Sequence, residues 1–413
     1  MQNERLIEKL NSKHFFARKS ALKELKKREE YDNSLIPAQN LGEVNTSVHT
    51  YYSFSPYSPT LAAYMAYKNG IKLAGVSDYG TLKACEEFAF ACKKLGIASI
   101  CGFESTLLIN KKEEALCSFY SLNSQALLDF KLLLNDFREE CKLRAAKVLE
   151  KINGKLQVYS LSVNFEKDVL KLIKNKKEGT ITLKHLYMAT GIKLQEKFGK
   201  GKELAKFLRN TLCLDIEEGV YNLLCDANNP FYIYDLISAL RHNFSEKDAN
   251  LTPPLFKEYF EVAKKYGCAI VYQYNAPENW LKNQTEVEQT LKDFAKTVNR
   301  VKGYGFNAVS ISQDNLGEHL VCEFVKHLEQ KQMLALLTQK TEYPRDHFTF
   351  SVPAPCREYV QKCAYALLGN LYSMQENPED GLFLEKSAQD CPDYNSRLAL
   401  FAQIGKTNFF SEK

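Results

Sequence analysis

With 413 residues, 45% of them apolar and 25% charged, the chain has the balance of a soluble globular protein and enough material for a large buried core. Lys and Arg (55) exceed Asp and Glu (50) by only 5, and the surplus is not clustered, which counts against nucleic acid as a partner and leaves a small anionic ligand open. No apolar run of about 18 residues exists to cross a bilayer, so the sequence predicts no membrane association.

Residues 4–30 predict one amphipathic helix, with Leu6, Leu10, Ala17, Ala21 and Leu25 on a stripe, followed by a polar connector from Ser34 to Gly42. Short β-rich runs then appear at Gly42–His49, Leu73–Ser77, Ala98–Gly102, Cys268–Tyr274 and Ala308–Ser312. Helical periodicities fall at Thr60–Asn69, Leu82–Leu95, Leu255–Tyr266 and Glu286–Tyr304. Strands alternating with helices of this length imply parallel βαβ units, whose sites lie at the strand ends. From Ser124 to His242 the pattern is helical throughout and rich in Lys and Leu. Pro353 to Lys413 reads as loop-rich, with one helix at Arg357–Leu368 and an irregular end.

Met1–Glu30 is densely charged and lacks the apolar stretch of a signal peptide, so a reducing cytoplasm is the expected location. The twelve cysteines include no C-x-x-C pair, and disulfides are not expected there. Cys85 and Cys92 share a helix face and suit core filling. There is no G-x-S-x-G elbow, no phosphate-binding G-x-x-x-x-G-K loop and no H-E-x-x-H. The glycine pair in Phe198-Gly-Lys-Gly-Lys202 follows a helical run and reads as a solvated turn, as does the Lys174–Lys177 run.

The informative stretch is VNTSVHTYYSFSPYSP at 44–59, AGVSDYGTLKACEEFAFACKKLGI at 74–97 and CGFES at 101–105. It resembles the polymerase-and-histidinol-phosphatase (PHP) superfamily of metal-dependent phosphoesterases. In that superfamily a first strand ends in D-x-H-x-H-S with Ser-Pro ten residues on, a second ends in a T-D-H-D-T type motif, and a third ends in P-G-x-E. The spacing from His49 to Pro59, Asp78 on the second run and Gly102-Phe-Glu104 on the third match that order. The stretches at 182–204, 226–237 and 305–314 are similar to a bacterial branch carrying a large helical insertion, so the resemblance covers about residues 40–375.

The resemblance implies an α/β fold, a distorted TIM-like (β/α)7-type PHP barrel with a large helical insertion. The implied divisions are 1–40, an N-terminal helix and connector; 41–123, the first part of the barrel; 124–245, the insertion; and 246–413, the second part with the C-terminal segment. It also implies a metal cluster at the strand ends, generating hydroxide and neutralising phosphate charge. Carried over by position, His49, Glu104, Asp314 and His185 keep ligand residues. Ser47, Phe54, Tyr79, Tyr120, Leu316 and Asn370 stand where ligands are expected. Phe54 has no donor atom, and a phenol with a pKa of about 10 is a poor ligand at neutral pH.

The expectation is therefore a catalytically impaired or inactive relative, a pseudoenzyme with a degenerate metal site, holding no metal or a single divalent ion (Zn, Mn or Fe). It would bind a small phosphorylated ligand or a protein partner in the old cleft. One alternative is a residual one-metal phosphoesterase built on His49, Glu104 and Asp314 and acting on a small phosphate ester or nucleotide. Another is an accessory binding module. Each retained residue also has a packing or hydrogen-bonding explanation, and His14, His242, His319, His327 and His347 have no motif around them. Tyr51, Tyr52, Tyr57 and Tyr79 are expected to cluster near the cleft, as filling or as a stacking surface.

Overall fold

A computed structural model describes residues 2–37, 43–111, 113–245, 249, 251–275, 284–312, 316–348 and 351–411. The chain divides into two compact units: Met1–Thr50, Pro56–Leu133 and Pro254–Lys413 form the first, Tyr51–Ser55 and Leu134–Pro253 the second.

The first unit is mixed α/β and is built on one seven-stranded sheet: β1 (Val44–Val48), β2 (Leu73–Tyr79), β3 (Ala98–Asn110), β4 (Glu113–Tyr120), β5 (Ala269–Tyr274), β6 (Ala308–Ser312) and β7 (Leu334–Thr338), hydrogen-bonded in that order. All neighbours run parallel except β4, which is antiparallel to both β3 and β5. The sheet curls into a nearly closed barrel. At the remaining seam Asn45 of β1 donates from Nδ2 to the Gln339 carbonyl (2.9 Å) just beyond β7, and accepts from Gln339 N at 3.3 Å. His49 N donates to Thr341 Oγ1 at 3.0 Å beside it.

Helices α1 (Gln2–Lys9), α2 (Phe15–Arg28), α3 (Pro59–Lys68), α4 (Cys85–Leu95) and α5 (Ser124–Leu156) lead into the second unit, the boundary falling within α5. The Ser-Pro of the sequence pattern starts α3: Ser58 caps it by accepting from Leu61 N at 3.0 Å, and Pro59 opens the first turn. The second unit carries α6 (Leu183–Phe198), α7 (Lys202–Lys206), α8 (Glu218–Cys225) and α9 (Tyr232–Asn243), and no strand among its described residues. The first unit resumes with α10 (Phe256–Lys265), α11 (Gln284–Gly303), α12 (Glu318–Gln330), α13 (Ala354–Glu376), α14 (Glu385–Asp390) and α15 (Tyr394–Ser411).

Strand alternation sorts β3 and β4 into two faces. Phe103 and Phe119 stack at 5.0 Å and join Phe130 of α5 and Tyr259 of α10 in an aromatic core outside the sheet. Glu104, Ser118 and Tyr120 take the alternate positions. Tyr120 needs Gly102 opposite it: a Cβ there would lie 2.4 Å from Tyr120 Cδ1 and 2.3 Å from the Phe119 carbonyl oxygen.

Three expectations are corrected. The single helix over 4–30 is two, because Asn11 leaves the helix to bind the 56–58 turn, donating to the Pro56 carbonyl (2.8 Å) and accepting from Ser58 N (2.7 Å). The region from Pro353 is chiefly helical, with α13 and α15 packed together and only short turns between, where loops were expected. Strands β4 and β7, absent from the β-rich runs read in the sequence, complete the sheet, and helix α12 was not foreseen. No described helix is long and apolar enough to cross a membrane.

Candidate functional site

Glu104 sits fully buried on β3, inside the first unit, and five side chains from other parts of the sheet converge on its carboxylate. Ser47 of β1 and Ser77 of β2 donate to Oε1 at 3.2 and 3.3 Å, and Gln273 of β5 reaches the same oxygen at 3.5 Å. Gln273 is held in turn by Ser118 of β4, at 2.5 Å. Oε2 faces two nitrogens, His49 Nε2 and Lys340 Nζ, each at 3.4 Å. The first distance is ion-pair range and long for a hydrogen bond, and His49 Nε2 is a buried nitrogen without a hydrogen-bond partner. Nδ1 of the same ring lies 3.1 Å from the Ser47 carbonyl oxygen, so it donates there.

These contacts set the charges. Burial penalises the Glu104 carboxylate, but Lys340 first and His49 second overcome that and hold its pKa down, to about 2. Burial likewise disfavours charge on His49, yet Glu104, with Glu342 adding, raises its pKa above the ordinary imidazole value. The result is a buried carboxylate held between an ammonium and an imidazole whose protonation it favours.

Residues expected to be lost ligands are structural parts. Tyr120 crosses the interior from β4 to β1, donating to the Thr46 carbonyl at 2.7 Å, and burial pushes its phenol pKa well up. Tyr120→Phe should cost about 1–2 kcal/mol in urea unfolding, because the Thr46 oxygen then stays buried and unpaired. Tyr79 donates to Thr106 at 3.0 Å, and Tyr57 packs edge-on against Phe348. Tyr51 and Tyr52 pair with one another in the second unit. Asn370 is held at both ends of its amide, donating to the Gly267 carbonyl (2.9 Å) and accepting from Leu382 N (2.6 Å). Asp78 accepts from Thr50 N at 2.6 Å, joining the ends of β1 and β2. Leu316 precedes α12, and Asp314 lies outside the described residues.

His185 belongs to the second unit. It is the third residue of α6, and its Nδ1 accepts from Thr182 N at 3.1 Å, so the proton sits on Nε2 and no lone pair is left there for a metal. Phe54 packs edge-on against it at 5.2 Å. Burial, with Lys184 adding, pushes the His185 pKa down to about 4. Its folded value is thus below its unfolded one of about 6.5. This histidine contributes stability in full above about pH 6.5, and loses about 3 kcal/mol of it as pH falls towards 4. His185→Gln, which keeps an acceptor, should remove that part of the acid slope in denaturant titrations between those pH values.

Of the residues singled out in the sequence, the structure brings His49, Glu104 and Ser47 together. Sequence spacing missed Lys340, Ser77 and Gln273. The available signal was the polar end of two strand runs, Gln273 in one foreseen and Lys340 two residues past one that was not. Among the described residues, no group of three or more His, Cys, Asp or Glu side chains could hold a metal ion.

No protein-family model matches the sequence, and no curated protein does. Solved structures do. An amidohydrolase from Chromobacterium violaceum, solved with bound sulfate and no metal, aligns with a TM-score of 0.50 at 14% identity, covering 76% of this chain and 95% of that one. A candidate metal-dependent phosphoesterase from Bifidobacterium adolescentis aligns with a TM-score of 0.48, also at 14% identity, over 78% of this chain and 97% of its own. At such identity the likeness to the amidohydrolase shows a shared barrel fold and nothing finer.

Proposed function

We propose that this chain is a PHP-type barrel with a helical insertion in which a lysine has taken the place of the metal. On this reading it binds a small phosphorylated ligand or a protein partner in the cytoplasm without hydrolysing phosphate esters. The observation that carries the proposal is Lys340 Nζ, 3.4 Å from Oε2 of Glu104, the one carboxylate among the described residues that stands at an expected ligand position. His49 and Glu104 supply two donors of ligand type, but the ammonium occupies the same oxygen and its charge opposes a divalent cation there. Oε1 is already engaged by two serines and a glutamine. That donor set does not fit a divalent ion. The phenol of Tyr120 fills interior space in keeping with the same view. The amidohydrolase neighbour, which holds sulfate without metal, supports an anion as the ligand class.

The test is elemental analysis of protein purified without chelator, beside Lys340→Met and His49→Ala. The proposal expects well under one equivalent of zinc, manganese or iron in the unaltered protein, and no hydrolysis of an aryl phosphodiester with added manganese. About one ion per chain, lost in His49→Ala, would instead establish the one-metal phosphoesterase with Asp314 as third ligand.

A further inference from the structure

We propose that Cys322 and Cys356 form a redox-sensitive thiol pair that closes to a disulfide on reaction with a small disulfide oxidant such as oxidised glutathione. Cys322 lies on α12 and Cys356 in the first turn of α13, and their sulfurs are 3.8 Å apart, in van der Waals contact. A disulfide needs about 2.05 Å between sulfurs, so closure brings the two sulfurs further together across helices that already pack side by side. The two differ in access: Cys322 is half-buried, Cys356 buried with its sulfur 3.5 Å from the Pro353 carbonyl oxygen.

That difference sets the order of events. The Cys322 thiolate attacks the oxidant, forming a mixed disulfide and releasing one glutathione thiolate. Cys356 then loses its proton and attacks Cys322 Sγ, releasing the second. Two protein thiols are oxidised, one glutathione disulfide is reduced to two glutathiones, and the two thiol protons end on them. Burial pushes the Cys356 thiol up to about 12, which makes the second step slow near neutral pH.

The closed loop has a consequence for the site. Between the two cysteines run β7 and the segment holding Lys340 and Thr341, which contact Glu104 and His49 N. Oxidation therefore ties down both ends of the strand and loop that deliver the ammonium to the buried carboxylate.

The experiment is incubation of the full chain with oxidised glutathione, then thiol titration in denaturant and peptide mapping without reductant. After glutathione bound at accessible thiols such as Cys213 is counted by mass, two further thiols of the twelve should be lost, with one linked peptide pair containing Cys322 and Cys356. The thermal midpoint should rise by about 3–8 °C and return on reduction. Cys356→Ser should trap glutathione on Cys322, and Cys322→Ser should abolish both the thiol loss and the shift. Twelve thiols after incubation, a linked peptide pair without Cys322 and Cys356, or glutathione persisting on Cys322 of the unaltered chain after long incubation in alkaline buffer would each overturn the proposal.

Discussion

Lys340→Met is expected to lower the unfolding free energy by about 2–4 kcal/mol at pH 7, and by less than half of that at pH 3. Methionine keeps the aliphatic stem and removes only the ammonium, which is the largest favourable influence on the buried Glu104 carboxylate. The range is set below the full cost of breaking a buried pair because the Lys340 side chain is 26% exposed, against 2% for Glu104. Glu104 has a folded pKa depressed to about 2 from an ordinary 4.5. It therefore contributes stability above about pH 4.5, and that contribution drains away as pH falls through 2. Without Lys340 the folded pKa moves up, so wild type and variant converge in acid. Urea titrations at both pH values read the difference. A double-mutant cycle with Glu104→Gln isolates the pair, because the penalty of Lys340→Met should shrink to below about 1 kcal/mol once the carboxylate is gone. An equal penalty in both backgrounds would show that the ammonium stabilises something other than Glu104, and the proposed lysine-for-metal exchange would fall with it.

Where local spacing carries the geometry, the sequence was legible. His49, Asp78 and Glu104 follow strand runs whose order and separation are fixed by short βα units, and their placement in adjacent strands β1, β2 and β3 agrees with the pattern. Lys340 was not legible, because it lies 236 residues from Glu104 and meets it only when the sheet curls and β7 comes round to β1. No local signal reports on curvature. Strand β4 is missing from the β-rich runs because it opens with Glu113 and Glu114 and returns directly from β3 without a crossover. Phe54, expected to displace a ligand, packs on His185, which lies 131 positions further along and is tied to its own helix start. The thiol pair illustrates the same limit: 34 positions separate Cys322 and Cys356, and only the packing of α12 on α13 makes them neighbours. Turn residues between 377 and 392 also misled, since Asn377, Pro378, Gly381 and Pro392 punctuate a region that is otherwise helical on both sides.

The contact between those two helices supplies the prediction with the largest expected stability effect outside the site. Helices α13 and α15 approach so closely at Gly369 and Gly405 that backbone touches backbone. A Cβ on Gly369 would stand 1.8 Å from the Phe401 carbonyl oxygen, and one on Gly405 2.2 Å from that of Tyr365. Neither oxygen can rotate away as a side chain would, so an added methyl must push the helices apart. Separation would loosen the packing around Leu367, Leu368, Leu398 and Phe401, all buried. Gly369→Ala is therefore expected to cost about 3 kcal/mol or more, at the upper end of what overpacking does, despite alanine's better helix propensity. Gly154→Ala is the matched control. It lies in α5 with nothing within 4 Å of the added carbon, so relief of backbone entropy should stabilise by about 0.5–1 kcal/mol. Thermal and denaturant unfolding of the two variants should move in opposite directions. If Gly369→Ala were neutral or stabilising, the close crossing of α13 and α15 would be wrong, and with it the position of Asn370 that closes the turn before α14.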